Sequence, residues 1–287
     1  KLLNNLQMRN KYGVILILVF IFCYGEVFSQ RLSREKINNT IENMPTFSIH
    51  KDNYFITGIS TNKDLNSKSA DAKYQISFKA LITRNTLPLD TYLFLTYTQK
   101  AFWNIYEFSS PFRELNFNPG VGLGKPVYSK NDDLAGMAHL QLEHESNGRD
   151  SIYSRSWNSL SLSYHTAINK NLLISVKGWL PFKYKKDNPE LIDYVGYGKI
   201  SLTYNVIPEK LLVDLMLRKG IKDWNGTLRT RLLYKPFDSS NLHLMLEWYK
   251  GNAESLINFE ENRSMIRAGF VLKSDELNFL KSLPDAI

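Results

Sequence analysis

The stretch 242–249 reads LHLMLEWY. One row of alternate positions is leucine and tryptophan, and the other carries histidine, methionine, glutamate and tyrosine. Successive side chains of a β-strand point to opposite faces, so this pattern predicts a strand with one apolar and one polar face. The stretches 211–218 (LLVDLMLR) and 228–235 (LRTRLLYK) alternate in the same way. The turn-forming sequences Asp223-Trp-Asn-Gly226 and Pro236-Phe-Asp238 separate the three, which predicts consecutive hairpins.

About twelve such segments follow one another along the chain, an even number that is typical of a transmembrane barrel. They are predicted near residues 53–62, 73–84, 90–105, 113–124, 133–146, 156–168, 170–180, 194–206, 209–219, 225–235, 241–250 and 263–273. A water-soluble sandwich also alternates, but its polar face looks outward. Unbroken leucine rows opposite Arg, Glu and His fit a lipid-facing wall around a polar lumen. The predicted fold is therefore an all-β transmembrane antiparallel β-barrel of about 12 strands.

Tryptophans near strand ends and the segment after the last strand give two further predictions. Tryptophans near strand ends (Trp103, Trp157, Trp179 and Trp248) are expected to form interface girdles. The last clear strand stops near Lys273, and residues 274–287 follow it. Either this tail folds back onto the barrel, or the final strand is misplaced.

The N-terminal sequence predicts an export signal. Arg9 and Lys11 precede an apolar run over 14–23, which predicts a secretory signal peptide cleaved near Ser29. The alternative is a transmembrane anchor, but the run is short of the roughly 20 residues that a spanning helix needs. The predicted organisation is an upstream remnant and signal peptide over 1–29, a periplasmic N-terminal arm over 30–50, and the barrel domain over 51–287.

Composition excludes several classes of function. Cys23 is the single cysteine and lies within the predicted leader, so the mature chain would have no thiol for a disulfide, a cysteine nucleophile or a zinc site. The net charge of +8 is compatible with nucleic acid, but the basic residues are scattered along strands. After export the expected partner is an anionic membrane surface, with no nucleic acid.

Candidate catalytic residues continue an apolar row. In the strand 133–146 the even positions are apolar up to Leu142, then His144 and Ser146 follow on the same, lipid-facing side. The next hairpin should bring Asn158 beside His144 on that outer face. Polar groups at lipid depth are costly and usually functional.

These residue types suit ester hydrolysis. Ser146 would attack an ester carbonyl, His144 would act as base and then acid, and Asn158 would hold the second imidazole nitrogen. The outward position points to acyl esters of lipids as substrate. The alternative is that all three are ordinary rim residues where the strands leave the membrane.

The sequence resembles the outer-membrane phospholipase A family. The resemblance is carried by His144–Arg149 (HESNGR) and Ser154–Asn158 (SRSWN), with Ser109–Glu114 (SSPFRE) and Tyr97–Gln99 (YTQ) upstream in the right order. It extends from about Asn53 to Lys273. It implies a twelve-stranded outer-membrane barrel that hydrolyses glycerophospholipids at either acyl position, and lysophospholipids, as an active homodimer.

The resemblance also implies roles for particular residues. Ser146 would be the nucleophile, His144 the base and Asn158 its orienting partner. The Gly148 amide would lie in the oxyanion hole, assisted by calcium-bound water. Gln99 matches a glutamine at the dimer contact; without that match it would be read as a rim residue.

Calcium (Ca²⁺) is the implied cofactor. Its ligands would be the Arg149 carbonyl and Ser154 hydroxyl of one subunit, with Ser109 from the other. The loop after Arg149 departs from the family pattern, because its acid is displaced by one position to Asp150. A second calcium contact by Asp150 or Asp187 therefore stays open beside the alternative of a solvated loop acid.

Two functions from other classes compete with the enzyme. A catalytically silent porin or transport barrel would conduct ions in planar bilayers and release no fatty acid. A soluble lipid-binding barrel would partition into water without detergent.

Overall fold

The computed structural model describes residues 32–84 and 86–281. The predicted signal peptide, its cleavage near Ser29 and Cys23 lie outside the described residues. No helix within the described ranges is long and apolar enough to cross a membrane.

The described chain is mostly β-structure. A short strand β1 (Phe47–Ser48) precedes twelve longer strands: β2 (Asn53–Ser60), β3 (Ala70–Leu81), β4 (Tyr92–Trp103), β5 (Phe112–Tyr128), β6 (Leu134–Ser146), β7 (Ser156–Asn169), β8 (Leu172–Phe182), β9 (Gly198–Ile207), β10 (Leu211–Lys219), β11 (Gly226–Tyr234), β12 (Leu242–Gly251) and β13 (Arg263–Leu272). Two helices, α1 (Arg34–Glu42) and α2 (Leu191–Val195), lie outside the sheet, with 3-10 turns at Pro88–Asp90, Ser151–Tyr153 and Asn278–Lys281.

The twelve long strands close into a barrel. Each pairs antiparallel with the next along the chain, and β13 returns to β2, from Met265 opposite Ser60 to Leu272 opposite Asn53. Closure leaves no unpaired edge, as a membrane-spanning sheet requires. The prediction of an all-β antiparallel barrel of about 12 strands is confirmed.

The two rows of each strand face different surroundings. In β12, Leu244 and Leu246 are 52% and 48% exposed on the outer wall, whereas Glu247 is 0% exposed inside. The lumen is crossed by ion pairs, among them Arg267 with Asp71 (2.6 Å) and with Glu254 (2.6 Å). Buried charges of this kind are tolerated only when they are paired. The barrel therefore has an apolar outer face and a lumen that contains paired charges.

The tryptophans divide between the two faces. Trp248 is 42% exposed on the outer wall, as a girdle residue should be. Trp157 and Trp179 instead occupy inward rows, where Trp157 Nε1 donates to Glu145 Oε2 (3.1 Å) and Trp179 Nε1 donates to Gly196 O (2.9 Å). The girdle expectation is therefore wrong for these two, because strand parity, not distance from the strand end, decides which way a side chain points.

The tail and the N-terminal arm close one end of the barrel. Ile37 and Ile41 of α1 are buried in a cluster with Leu280 of the tail and with wall residues such as Phe94 and Leu134. Residues 274–281 of the tail thus fold back, and β13 is the final strand of the described chain.

A buried ion-pair cluster fastens the tail. The Glu276 carboxylate accepts from His50 Nδ1 (3.0 Å) and Lys79 Nζ (2.8 Å). Burial alone would raise the pKa of Glu276, but its contacts with His50 and with the Lys79 ammonium hold that pKa below its ordinary value. The candidate site lies at the opposite end of the barrel.

Candidate active site

Two neighbouring strands bring the candidate catalytic side chains together. In the β6–β7 ladder His144 stands directly opposite Asn158, and Ser146 stands opposite Ser156. Leu142 in β6 and Leu160 in β7, two residues further into the wall on the same face, are 48% and 42% exposed. The candidate residues therefore continue the outer, lipid-facing rows.

The amide of Asn158 holds the imidazole of His144. The Nδ1 and Oδ1 atoms of these residues are 3.0 Å apart. A carbonyl oxygen only accepts, so Nδ1 carries the hydrogen and donates it. In the neutral ring Nε2 is then left as the acceptor, which is the state that a general base for a hydroxyl requires.

Ser146 lies beside this pair without a hydrogen bond to it. Ser146 follows His144 by two positions on the same face, a rise of about 6.8 Å along the strand. Within the described residues its hydroxyl bonds neither to His144 nor to any other group. The Ser146 hydroxyl and the His144 imidazole therefore share one face of the barrel without a hydrogen bond between them. Catalytic hydrogen bonds often tighten only when substrate is bound.

Apolar and polar side chains lie side by side around the site. One row of outward-facing residues runs across strands β4 to β8. It consists of Tyr97, Pro119, His144, Asn158 and Phe182. The row nearer the loop end contains Gln99, Phe117, Ser146 and Ser156. Tyr97 donates its hydroxyl hydrogen to Gln99 Oε1 at 3.1 Å. An ester that reaches Ser146 would therefore meet the apolar side chains of Phe117 and Pro119 on the β5 side and the polar side chains of Ser156 and Asn158 on the β7 side.

Asn147, which the sequence analysis missed, organises the loop between β6 and β7. Its buried side chain accepts from the Arg149 N–H (3.3 Å) and the Arg155 N–H (3.0 Å), and donates to the Tyr153 carbonyl (2.9 Å). Asparagine commonly bonds to nearby backbone at the end of a strand, which is the signal that could have identified it. One side chain thus shapes the loop that presents Gly148, Arg149 and Ser154.

Gly148 has a conformation that favours glycine. Its φ is +64°, and a Cβ there would lie 2.9 Å from the Phe117 ring. Its N–H donates to no group in the described chain. This amide is therefore available to a ligand at the end of the row that carries Ser146.

The predicted metal ligands lie on two adjoining loops. Arg149 and Ser154 are on the 147–155 loop, and Ser109, with a φ of +60°, is on the 104–111 loop. The Arg149 guanidinium donates to the Arg113 carbonyl, which ties the first loop to the strand that follows the second. Within the described chain the Arg149 carbonyl and the hydroxyls of Ser109 and Ser154 form no hydrogen bonds.

The chemistry of these donors favours a hard cation. No group of three or more His, Cys, Asp or Glu side chains suited to a metal occurs among the described residues. Carbonyl and hydroxyl oxygens completed by water suit calcium, which takes 6–8 oxygen ligands. Asp187 lies next to the site, because its carboxylate accepts from the Ser156 hydroxyl at 2.9 Å. Asp150 is an exposed loop residue.

Sequence comparisons show that this chain is similar to known phospholipases. A family model described as phospholipase A1 matches residues 29–272. The chain is 33% identical to phospholipase A1 of Escherichia coli strain K12 over 217 residues, which cover 72% of this chain and 71% of that protein. It is 32% identical to phospholipase A1 of Salmonella typhimurium strain LT2 over 224 residues, covering 75% and 74%.

Solved structures agree with the sequence comparisons. An outer membrane phospholipase dimer of Salmonella typhi with bound calcium superposes with a TM-score of 0.73 and 28% identity, covering 83% of this chain and 97% of that one. Outer membrane phospholipase A of Escherichia coli superposes with a TM-score of 0.71 and 26% identity, covering 80% and 99%.

Proposed function

Because the chain belongs to the phospholipase A1 family, and is thus a phospholipase of the bacterial outer membrane, we propose that Ser146, His144 and Asn158 are its catalytic residues. The observation that carries this proposal is the hydrogen bond between His144 and Asn158 on the lipid-facing wall, with Ser146 on the same face. The family membership itself confirms the predicted resemblance and the enzyme class.

The geometry suits a two-step acyl transfer. His144 Nε2 takes the proton of Ser146 as the serine oxygen bonds to the ester carbonyl carbon. The oxyanion that forms is stabilised by the Gly148 N–H. The C–O bond to glycerol then breaks, and the imidazolium returns its proton to the departing alcohol. Water repeats the sequence on the acyl-enzyme and releases the fatty acid, while Asn158 holds the imidazole throughout.

The substrates proposed are acyl esters of glycerophospholipids at both chain positions, together with lysophospholipids. The nucleophile stands on a wall whose neighbours are exposed leucines, where acyl chains are the surrounding solvent. A lipid can therefore bring its ester to Ser146 by diffusing along the outer face of the barrel.

We further propose that the enzyme depends on calcium and is active as a homodimer. The Arg149 carbonyl and Ser154 hydroxyl of one protomer, with Ser109 of the second, would hold the ion. None of these three oxygens forms a hydrogen bond with another residue within 32–84 and 86–281, which supports the assignment, as does the calcium-bound dimer of the Salmonella typhi phospholipase. When bound, calcium would supply positive charge against the developing oxyanion.

The test is fatty acid release from micellar phospholipid by folded, purified protein, with and without calcium. Ser146→Ala should abolish release, whereas Ser163→Ala, a buried luminal serine of β7, should leave it unchanged. A chelator should abolish release and dissociate a cross-linkable dimer. Undiminished release by Ser146→Ala would disprove the nucleophile, and full activity in excess chelator would disprove the calcium requirement.

A further inference from the structure

The ladder between β5 and β6 is interrupted at the candidate catalytic histidine. Phe117 pairs with Ser146 and Gly120 pairs with Glu143, so the intervening Pro119 stands opposite His144. Proline has no N–H and cannot donate to the carbonyl of its partner. The main chain of His144 therefore lacks the hydrogen bond that any other residue at position 119 would supply.

A side chain from the lumen takes the place of that missing bond. Asn118 precedes Pro119 and, by strand parity, faces inward. Its Nδ2 donates to the His144 carbonyl at 2.9 Å. The His144 carbonyl, which Pro119 leaves without a donor, thus accepts a hydrogen bond from a side chain of the lumen. The His144 imidazole lies on the opposite, outer face of the wall.

A lysine sets the orientation of this amide. Lys51 Nζ donates to Asn118 Oδ1 at 3.1 Å. An ammonium group has hydrogens only to donate, so the amide oxygen must face Lys51 and the NH₂ group must face His144. A luminal cation, an amide and the histidine main chain thereby form one continuous chain of hydrogen bonds.

We propose that Asn118 is a positioning residue for the reaction: it supplies from the lumen the main-chain hydrogen bond that Pro119 withholds, and so holds His144 in register with Ser146 and Asn158. The role rests on the proposed function of His144. A small displacement of a catalytic base is costly to rate, since misplacement by about 1 Å can lower it on the order of 100-fold.

Three variants isolate the donor. Asn118→Ala removes it, and Asn118→Asp keeps the shape and the Lys51 contact but cannot donate when ionised. The double variant Asn118→Ala with Pro119→Val returns a main-chain N–H opposite His144. Thr98→Val is the matched control, because Thr98 is the inward residue beside Asn118 on β4 and its hydroxyl bonds Ser77 at 2.8 Å, away from β6.

The readout is kcat and KM for fatty acid release, on protein shown to be folded by its gel mobility before heating. Both single variants at position 118 should lower kcat about 10-fold or more, with little change in KM. The control should match the parent, and the double variant should regain most of kcat. Recovery by a main-chain N–H distinguishes positioning of His144 from a general loss of luminal packing.

The outcomes separate this role from the proposed site. Parental kcat in Asn118→Ala, or no recovery in the double variant, overturns the role of Asn118. Fatty acid release by Ser146→Ala, measured in parallel, overturns the catalytic site itself and the role of Asn118 with it. If Ser146→Ala is inactive while Asn118→Ala keeps the full parental activity, the positioning role of Asn118 is refuted and the proposed catalytic site is not.

Discussion

Replacing Gly148 by alanine tests whether its amide stabilises the oxyanion. At a φ of +64° an alanine is strained by about 1–2 kcal/mol. The added Cβ would also lie 2.9 Å from Phe117 Cε2, closer than such contacts normally come. Turning the peptide would relieve both the strain and the contact, and it would move the N–H. Loss of one oxyanion-hole donor lowers kcat by about 10²–10³-fold, so we expect a fall of about 100-fold.

The assay compares steady-state fatty acid release by Gly148→Ala and Gly178→Ala. Gly178 lies in β8, where an added Cβ would meet nothing closer than Tyr197 O at 3.7 Å, so its variant should behave like the parent. Adding Phe117→Leu to Gly148→Ala relieves the contact but not the backbone strain, and should restore only part of the rate. Equal kcat in Gly148→Ala and Gly178→Ala would refute the oxyanion assignment.

Three further predictions concern the loop, the tail and the lumen. Asn147→Ala removes three hydrogen bonds, each contributing about 1 kcal/mol, and should lower the rate of fatty acid release and raise the calcium concentration that half-saturates it; an unchanged calcium titration would contradict this. The pKa of Glu276 is lowered from its ordinary value of 4.5, so its pairing stabilises the fold above about pH 4.5 and that stability is lost on acidification below it. Denaturant unfolding should accordingly show a smaller loss of stability for Glu276→Gln than for the parent between pH 4.5 and pH 3; equal losses would show that this pairing is not the cause. Arg267→Met leaves the Asp71 and Glu254 carboxylates of the lumen without their principal partner and should lower the free energy of unfolding by about 3–5 kcal/mol, measured by urea titration in detergent.

Strand periodicity was readable from the sequence because it is a local property. The alternation in 242–249 and its repeats depends only on the parity of neighbouring positions, so the number of strands and their apolar faces followed directly. The same parity placed His144 and Ser146 on the outer wall. Because the hairpin is short, it also placed Asn158 opposite His144, where the structure finds it.

The alternation of apolar and polar positions does not predict contacts between distant parts of the chain. The sequence left open whether the tail folds back, because its anchors His50 and Lys79 lie more than 190 positions away. Proximity to a strand end predicts a girdle position for Trp157 and Trp179, although the parity of both positions turns them inward.

The sequence by itself determined the barrel, its outward rows and the chemical types on them, because a two-residue period and a short hairpin are local constraints. Tertiary structure alone decided how the site is supported from the lumen, where the Asn118 amide donates to the His144 carbonyl opposite Pro119. The physical reason is that backbone groups must find hydrogen-bond partners wherever the folded chain brings them, and only the closed barrel decides which side chains are within reach.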